Sequence, residues 1–337
     1  MKICQVLAGA EDGGLEKHTI ELTHELVKQG VDVTVIAHEK YIDDFRGIPF
    51  IALDLTKGRN NLLILWKLYR ILKKEQFDIV HTQANKATAM IIRLQLFLTS
   101  KIVATLHNYK KNLKPFLKAD AVITVSDRIG EKINSPHKFT VYNGIKIKNE
   151  SAIDVYETFH VPRDKFIICS VGRLVEAKGF DLLIESIPYM EEDIEVLLIG
   201  DGPLRKELEK LVKKLKVVDR IKFVGNIENV LTKSIIKSSD LLVVSSRREG
   251  FSYVFAESLL LDTPIVSTDV ADIKKFITEE YIVPFDAKIL AESINKFKRK
   301  YPQNISEYQT IFEKAKKTFT VENMAAQTRT VYEKVLG

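Results

Sequence analysis

The sequence predicts an α/β protein of two doubly wound parallel-sheet domains, and three observations carry that expectation. The chain has 337 residues, more than one core of ordinary size organises. Short apolar stretches alternate with amphipathic ones, and the alternation starts afresh at Phe166. The apolar stretches are nearly continuous rather than alternating in polarity, as in strands covered on both faces.

In the first half, Lys2 to Ala8 reads as a strand, residues 9–14 as a loop, and about Leu15 to Gln29 as a helix. That helix carries Leu15, Leu22 and Leu26 on one face, and Gly30 ends it as a C-terminal glycine does. Strands are expected over 31–37, 77–82, 101–106 and 119–125, with helices near 60–75, 86–97 and 127–134. The second half repeats the theme with strands over 166–171, 194–199, 220–224, 240–244 and 264–267. Helices over 179–189 and 203–216 lie between the first of them, and a last amphipathic helix covers 321–335. The polar stretch 145–165 reads as the linker. Cys4 and Cys169 sit inside predicted strands of different halves, as small core side chains and not as a disulfide.

No run of eighteen apolar residues occurs and the N-terminus lacks a signal-peptide pattern, so a cytoplasmic protein is expected. Charge is uneven: residues 1–150 hold 23 Lys and Arg against 16 Asp and Glu, while the remainder holds 28 against 29. From Ile79 to Ala119 there are seven basic residues and no acidic one. Within it, Tyr109, Lys110, Lys111, Leu113, Lys114, Phe116, Leu117 and Lys118 interleave basic with apolar side chains. This predicts an anionic partner for the first half, with a membrane surface or lipid-linked acceptor docking there and a solvated loop as the alternative. Nucleic acid is not expected, because no binding motif accompanies the charge.

Four places carry candidate chemistry. Gly13 and Gly14 stand between a strand and a helix start, where amides and the helix dipole favour an anion; a tight turn needing positive φ is the alternative. Gly9 and Gly13 do not have the dinucleotide-fingerprint spacing, which argues against an NAD dehydrogenase. Arg173 and Lys178 flank a strand end, where a fork and a point charge suit a diphosphate. Gly200-Asp201-Gly202-Pro203 reads mainly as a structural turn. Glu249 and Glu257, eight positions apart beyond the strand at 240–244, suit sugar and ribose hydroxyls.

Here the chain resembles the retaining glycosyltransferases of family 4. The resemblance runs through Gly13-Gly14, Asp78-Ile-Val-His81, Thr105-Leu-His107, Val125-Ser126, Asn143-Gly144-Ile145, Val171-Gly-Arg173, Lys178-Gly179, Gly200-Asp-Gly202-Pro203, Phe223-Val-Gly225 and the Glu249–Glu257 pair. It implies a GT-B fold, two Rossmann-like domains facing across a cleft. The first domain, 1–148, takes the acceptor, with a helix over 320–337 packing back on it; the second, 149–319, binds the nucleotide-sugar. It implies a diphosphate clamp of Gly13, Gly14, Arg173 and Lys178, and a ribose contact at Glu257. It places the donor sugar at Glu249 with Gly250, Phe251 and Ser252, the base beside Gly225 and Asn226, and His107 near the reacting carbon. His81 reads equally as an acceptor-side residue or a buried structural histidine. Two departures stand out. Asp262-Thr263 and Val270-Ala271 occupy places where family members often have Gly and Gly-Gly.

The implied activity is transfer of a hexose or N-acetylhexosamine from a nucleotide-sugar, by family habit a UDP-sugar. A cell-envelope glycan or lipid-linked saccharide such as lipopolysaccharide core is the expected acceptor, and peripheral association with the inner face of the cytoplasmic membrane is expected with it. No Asp-x-Asp occurs, so neither a metal nor another cofactor is expected, and protein cations must stabilise the leaving group. The competing readings are a nucleotide-sugar epimerase of the same architecture and a non-catalytic nucleotide-sugar-binding subunit.

Overall fold

The structure is a computed structural model and describes residues 1–11, 13–147 and 151–337. The chain divides into two compact units, residues 1–146 with 318–337, and residues 147–317. Of the stretch expected as a linker, 148–150 lie outside the described residues, and Val155–Thr158 form a short helix capped by Asp154.

Among the described residues, the sheet of the first unit has seven parallel strands: β1 (Lys2–Leu7), β2 (Asp32–Ala37), β3 (Phe50–Ala52), β4 (Ile79–Gln83), β5 (Lys101–Leu106), β6 (Ala121–Thr124) and β7 (Lys138–Thr140). Their order is β3-β2-β1-β4-β5-β6-β7. The strands β3 and β7 were not expected; each is three residues long, at a sheet edge and only partly buried, too short for a periodic signal. One face is covered by the helices Leu62–Glu75 and Ala84–Ile92, which press Leu68, Leu72, Met90 and Ile91 onto Cys4 and Val80. Asn61 starts the first of these, its side chain accepting from the amides of Leu63 and Ile64. The helix expected over 86–97 instead ends at Ile92 and yields to a 3-10 turn, Gln95–Phe97. That expected over 127–134 is a single turn, Asp127–Gly130.

The other face is covered by two helices from opposite ends of the chain, Gly14–Lys28 and Val321–Leu336. Leu22, Leu26, Met324 and Tyr332 share one core there with Ile3 and Val33. The chain re-enters the unit beside Asn143-Gly144-Ile145. Ile145 bridges to Thr320 and the Gly144 amide donates to the Met324 sulfur at 3.0 Å. A Cβ on Gly144 would lie 2.5 Å from the Val321 backbone, which is why a glycine stands in this motif.

The second unit holds a sheet of six parallel strands among the described residues: β8 (Phe166–Val171), β9 (Ile194–Ile199), β10 (Ile221–Gly225), β11 (Leu241–Val244), β12 (Ile265–Thr268) and β13 (Ile282–Val283). The order is β10-β9-β8-β11-β12-β13, so it too is doubly wound, with its reversal between β8 and β11. The helix expected from Pro203 begins at Arg205, and that expected over 179–189 is Phe180–Ser186 followed by a 3-10 turn. Cys4 and Cys169 are free and buried, and burial raises both thiols, Cys169 to about 12.

Adding the methyl of Gly144→Ala should therefore cost about 1–3 kcal/mol by overpacking the re-entry of the C-terminal helix. A thermal melt checks this, and an unshifted midpoint would show that the junction has room to give.

Candidate active site

Ligands of doubly wound sheets bind beyond the carboxyl ends of the strands, where the winding reverses. In the second unit that edge is made by glycines. Gly172, Gly200 and Gly225 end β8, β9 and β10, and their backbones bond in series: the Gly172 amide to the Ile199 carbonyl at 2.9 Å, the Gly200 amide to the Gly225 carbonyl at 2.8 Å. Gly200 has φ +127, and a Cβ there would sit 2.0 Å from the Gly172 carbonyl oxygen. The result is a cavity of 370 Å³ whose lining includes Gly172, Arg173, Gly200, Asn226 and Thr232. The Arg173 side chain is exposed and forms no ion pair or hydrogen bond among the described residues.

Lys178 reaches the same edge by a second close approach. Gly179 has φ +62, and a Cβ on it would meet the Ser245 carbonyl at 2.1 Å. The loop is tied down by the Arg247 amide donating to the Ala177 carbonyl at 2.9 Å. This sets the Lys178 ammonium 2.6 Å from Glu249 Oε1, which also accepts from the Ser246 hydroxyl at 2.8 Å. Lys178, Glu249 and Ser252 thus line one small pocket beside the Arg173 cavity, with Val171 common to both. Ser252 caps the helix Tyr253–Leu260, accepting from the Phe255 amide, and the buried Glu257 lies on that helix. Phe251 packs edge-on against Tyr253 at 5.3 Å.

The structure brings Arg173 together with Asn226, and Lys178 together with Glu249 and Ser252; Gly225 and Gly250 are backbone elements of the two rims. The pairing of Lys178 with Glu249 was not anticipated, since the two were expected to serve phosphate and sugar separately. Seventy-one positions apart, they give no local signal.

Both departures from the family pattern fall on left-handed backbone: Asp262 has φ +61 and Ala271 φ +47. The loop therefore keeps a glycine's conformation without the glycine. Asp262 is among the residues that tolerate this and is paired with Lys316 at 2.5 Å; Ala271 is not such a residue.

In the first unit the alternative reading of the glycines, a tight turn with positive φ, does not hold. Gly13 is extended, with φ −155, and caps the helix, while Gly14 is already helical. The near neighbour of both glycines is Glu16: a Cβ on Gly9 would lie 2.9 Å from one of its carboxylate oxygens, and a Cβ on Gly13 3.3 Å from the other, the movable tip of the side chain. Glu16 is buried, three positions into the helix from its cap, the place of a capping-box acid. That spacing was legible but went unused.

His107 follows β5 and donates from Nε2 to Gln83 Oε1 at 2.8 Å, with its ring edge-on to His18 at 4.6 Å. The contact continues inward. Gln83 donates to Gln5 at 3.0 Å, and Gln5 Nε2 lies 3.2 Å from both His81 Nδ1 and the Tyr332 hydroxyl. His81, fully buried between Tyr332 and Thr105 at 2.6 Å each, is the structural histidine of the two readings. Its bonds close if Tyr332 donates to Nδ1 and Nε2–H donates to Thr105. Burial first, then the neighbouring rings of His18 and His81, holds the His107 imidazole neutral well below the ordinary range. His18, which sequence reading missed on an ordinary amphipathic helix, is buried; its polar neighbour is Asn143, and neither ring nitrogen meets full hydrogen-bond geometry among the described residues.

Residues 12–148 match the family described as Glycosyltransferase Family 4, and residues 157–318 match Glycosyl transferases group 1. The chain belongs to this glycosyltransferase family and is an enzyme of that class. Lipopolysaccharide core biosynthesis glycosyltransferase LpsE of Rhizobium meliloti is 26% identical over 271 residues, 77% of this chain and 76% of its own. O-antigen biosynthesis glycosyltransferase WclY of Escherichia coli is 25% identical over 288 residues, covering 77% and 79%. The crystal structure of Anabaena HepE in complex with UDP superposes with a TM-score of 0.85 at 18% identity, over 99% of this chain and 100% of that one. The fold is GT-B.

Two outcomes follow. Burial lowers His18 to about 4 and His81 to about 3, whereas unfolded histidine titrates near 6.5. Below about 6.5 the unfolded chain binds the extra protons, so stability is lost as pH falls from there towards about 4, roughly 2–3 kcal/mol for His18 alone. Melting midpoints of wild type and His18→Gln between pH 7 and 4 test this; parallel curves would remove His18 from the cause. Second, Ala271→Gly should raise the midpoint, because relief of roughly 1–2 kcal/mol of left-handed strain exceeds glycine's cost in unfolded-chain entropy. A lowered midpoint would show that the methyl is worth more than the strain.

Proposed function

We propose that the chain transfers a hexose or N-acetylhexosamine from a UDP-sugar to a cell-envelope saccharide, with retention of configuration and without a bound metal ion or other cofactor. The observation that carries this is the juxtaposition of a free guanidinium, Arg173, with the Lys178–Glu249 pair at the carboxyl edge of one doubly wound sheet. Cations at that place suit a diphosphate, and carboxylates suit hydroxyls. Relatives named for lipopolysaccharide core and O-antigen synthesis support the envelope acceptor, and a neighbour of the same fold holding UDP supports the nucleotide.

Under this reading Arg173 and Lys178 hold the diphosphate, Glu257 the ribose, and Asn226 with Gly225 flanks the base. The ammonium of Lys178 is shared with Glu249 at 2.6 Å, so an arriving diphosphate competes with that carboxylate. Glu249, loosened from the cation, then accepts hydrogen bonds from sugar hydroxyls together with the backbone at Gly250, Phe251 and the capped Ser252. In the first unit, the amides at Gly13 and Gly14 supply a helix N-terminus suited to negative charge. His107, neutral and oriented by Gln83, is a hydroxyl partner rather than a cation. The chain carries no Asp-x-Asp to hold a divalent ion, which leaves stabilisation of the departing diphosphate to these cations and amides. Retention then follows if the acceptor attacks from the face the diphosphate leaves, with a departing phosphate oxygen taking the acceptor proton.

Arg173→Ala should weaken UDP binding by roughly 1.5–3 kcal/mol with the fold retained, the worth of one charge-assisted contact. Calorimetric titration with UDP in the presence of EDTA reads both claims. Unchanged affinity in the variant would take Arg173 out of the site, and wild-type binding that appears only when magnesium or manganese replaces EDTA would overturn the metal-free reading.

A further inference from the structure

We propose that the outer face of the helix Leu62–Glu75, together with the turn Gln95–Phe97, is the surface by which the first unit docks on an anionic lipid bilayer. The four most exposed large apolar side chains among the described residues all lie there. They are Leu96 at 95%, Leu62 at 79%, Leu63 at 73% and Phe97 at 67%, and Trp66 joins them at 54%. Nothing in the packing of the unit requires them: the same helix already buries Ile64, Leu65, Leu68 and Leu72 on its inner side.

The pieces form one continuous patch. Tyr69 meets Phe97 edge-on at 6.1 Å, Arg93 donates to the Arg59 carbonyl at 3.0 Å, and Gln95 donates to the Lys118 carbonyl at 3.1 Å. Along the helix the outward residues change character. Leu62, Leu63 and Trp66 are followed by Lys67, Arg70, Lys73 and Lys74, and Arg70 lies over the Trp66 ring at 5.0 Å. Trp66 and the four cations line an open groove of 640 Å³.

The charge is as one-sided as the apolarity. Residues 55–74 contain six Lys and Arg and no acid, and 79–119 contain seven and none. Arg59, Lys67, Arg70, Lys73 and Arg93 make no ion pair among the described residues. Apolar side chains ringed by unpaired cations, with a tryptophan at their boundary, match the layered chemistry of an acidic membrane surface. Leu and Phe enter the acyl boundary, Trp sits at headgroup depth, and Lys and Arg reach phosphates. The charge complementarity is to a phosphate-rich plane, and a soluble acidic partner would not account for protruding side chains as exposed as Leu62 and Leu96.

The proposed patch lies beside the segment that the sequence suggested for this task. Phe116, expected to face the membrane, is fully buried, which leaves Leu117 as the exposed apolar side chain of 109–118 next to its lysines. That segment borders the patch through Lys118 but does not supply its apolar centre. The inference concerns the first unit alone and holds for whichever donor and acceptor the enzyme takes.

Trp66 is the single tryptophan of the chain, so its emission reports the patch directly. The full chain is mixed with vesicles of phosphatidylcholine alone or with phosphatidylglycerol, at low and physiological salt. Fluorescence and co-sedimentation are both read. The expected result is a blue shift and sedimentation with the anionic vesicles only, weakened by salt. The double variant Leu62→Ser, Leu63→Ser should partition at least about tenfold less. The triple variant Arg59→Ser, Arg70→Ser, Lys73→Ser should lose about a hundredfold, from about 1 kcal/mol per cation. Circular dichroism melts and UDP titration should match wild type in both. Lys110→Ser, Lys111→Ser, Lys114→Ser, Lys118→Ser made together should retain most of the binding. The proposal falls if no blue shift occurs with anionic vesicles or if both patch variants bind as wild type does. It falls equally if binding is lost only in the variant of residues 110–118. A shift produced by single-stranded RNA and not by vesicles, or a dimer of the chain abolished by the Leu62, Leu63 variant, would likewise overturn it.

Discussion

A carbonyl oxygen 2.0 Å from where a Cβ would stand leaves Gly200 no substitute, and the binding edge of the second unit is organised around that contact. Because the ends of β8 and β9 approach so closely, the chain leaving β8 must rise away from the sheet, which puts Arg173 on the rim and not beneath it. Gly202 repeats the device against the Leu174 backbone, at 2.6 Å from its carbonyl. The Gly-Asp-Gly-Pro turn, read from sequence as structural, is therefore what holds the neighbouring strand end in place for the arginine. Structural and functional roles are not alternatives here: the turn shapes the cavity with its glycines and lines it with Asp201.

The first unit solves a different problem, that of keeping polar side chains buried. Gln5, His81, Gln83 and Thr105 are buried on the adjacent parallel strands β1, β4 and β5, where unsatisfied groups cost about 1–3 kcal/mol each. They are satisfied largely by one another, and the hydroxyl of Tyr332 arrives from the far end of the chain to complete the set. The C-terminal helix thus closes an apolar face and a hydrogen-bond network at once. His107 stands at the outer end of this network, so its orientation is set through Gln83 by residues that have no access to solvent. The helix that contributes Tyr332 is fastened at Gly144, some two hundred positions earlier in sequence, which links the order of the C-terminus to the geometry of a candidate site residue.

How much of this was legible depended on whether the cause was local. Doubly wound sheets, the helix stop at Gly30 and the buried cysteines follow from periodicity and from single-residue chemistry, and they stand in the structure. So do Arg173 and Lys178 at a strand end, because a strand, a glycine and a cation are adjacent in sequence. The short edge strands β3, β7 and β13 escaped because two or three residues carry no period. His18, the Lys178–Glu249 pair and the Tyr332 network escaped because they are set by packing between elements distant in sequence. Of the two readings of Gly13, the tight turn with positive φ is set aside by its extended backbone. The near neighbour of that backbone is the carboxylate of Glu16, which only coordinates can show. Conversely, Asp262 and Ala271 looked like losses of glycine conformation, and the backbone shows the conformation kept.

The ion pair between Lys178 and Glu249 also governs what substitutions at this edge can teach. The Glu249 side chain is 9% exposed and that of Lys178 26%, so the pair is largely withdrawn from water. Removing the lysine does two things at once: on the proposed reading it deletes a cation for the diphosphate, and it leaves a buried carboxylate without its counter-charge, an effect that can exceed the lost contact. Removing the glutamate leaves the ammonium with a stronger claim on any arriving phosphate, so weaker sugar recognition and tighter nucleotide binding would partly offset each other. Arg173 has no such partner among the described residues, so its substitution strands no carboxylate. On the proposed reading, loss of the guanidinium therefore reports nucleotide binding most directly. Substitutions at the Lys178–Glu249 pair report instead the competition between an internal carboxylate and an external diphosphate for a single ammonium group.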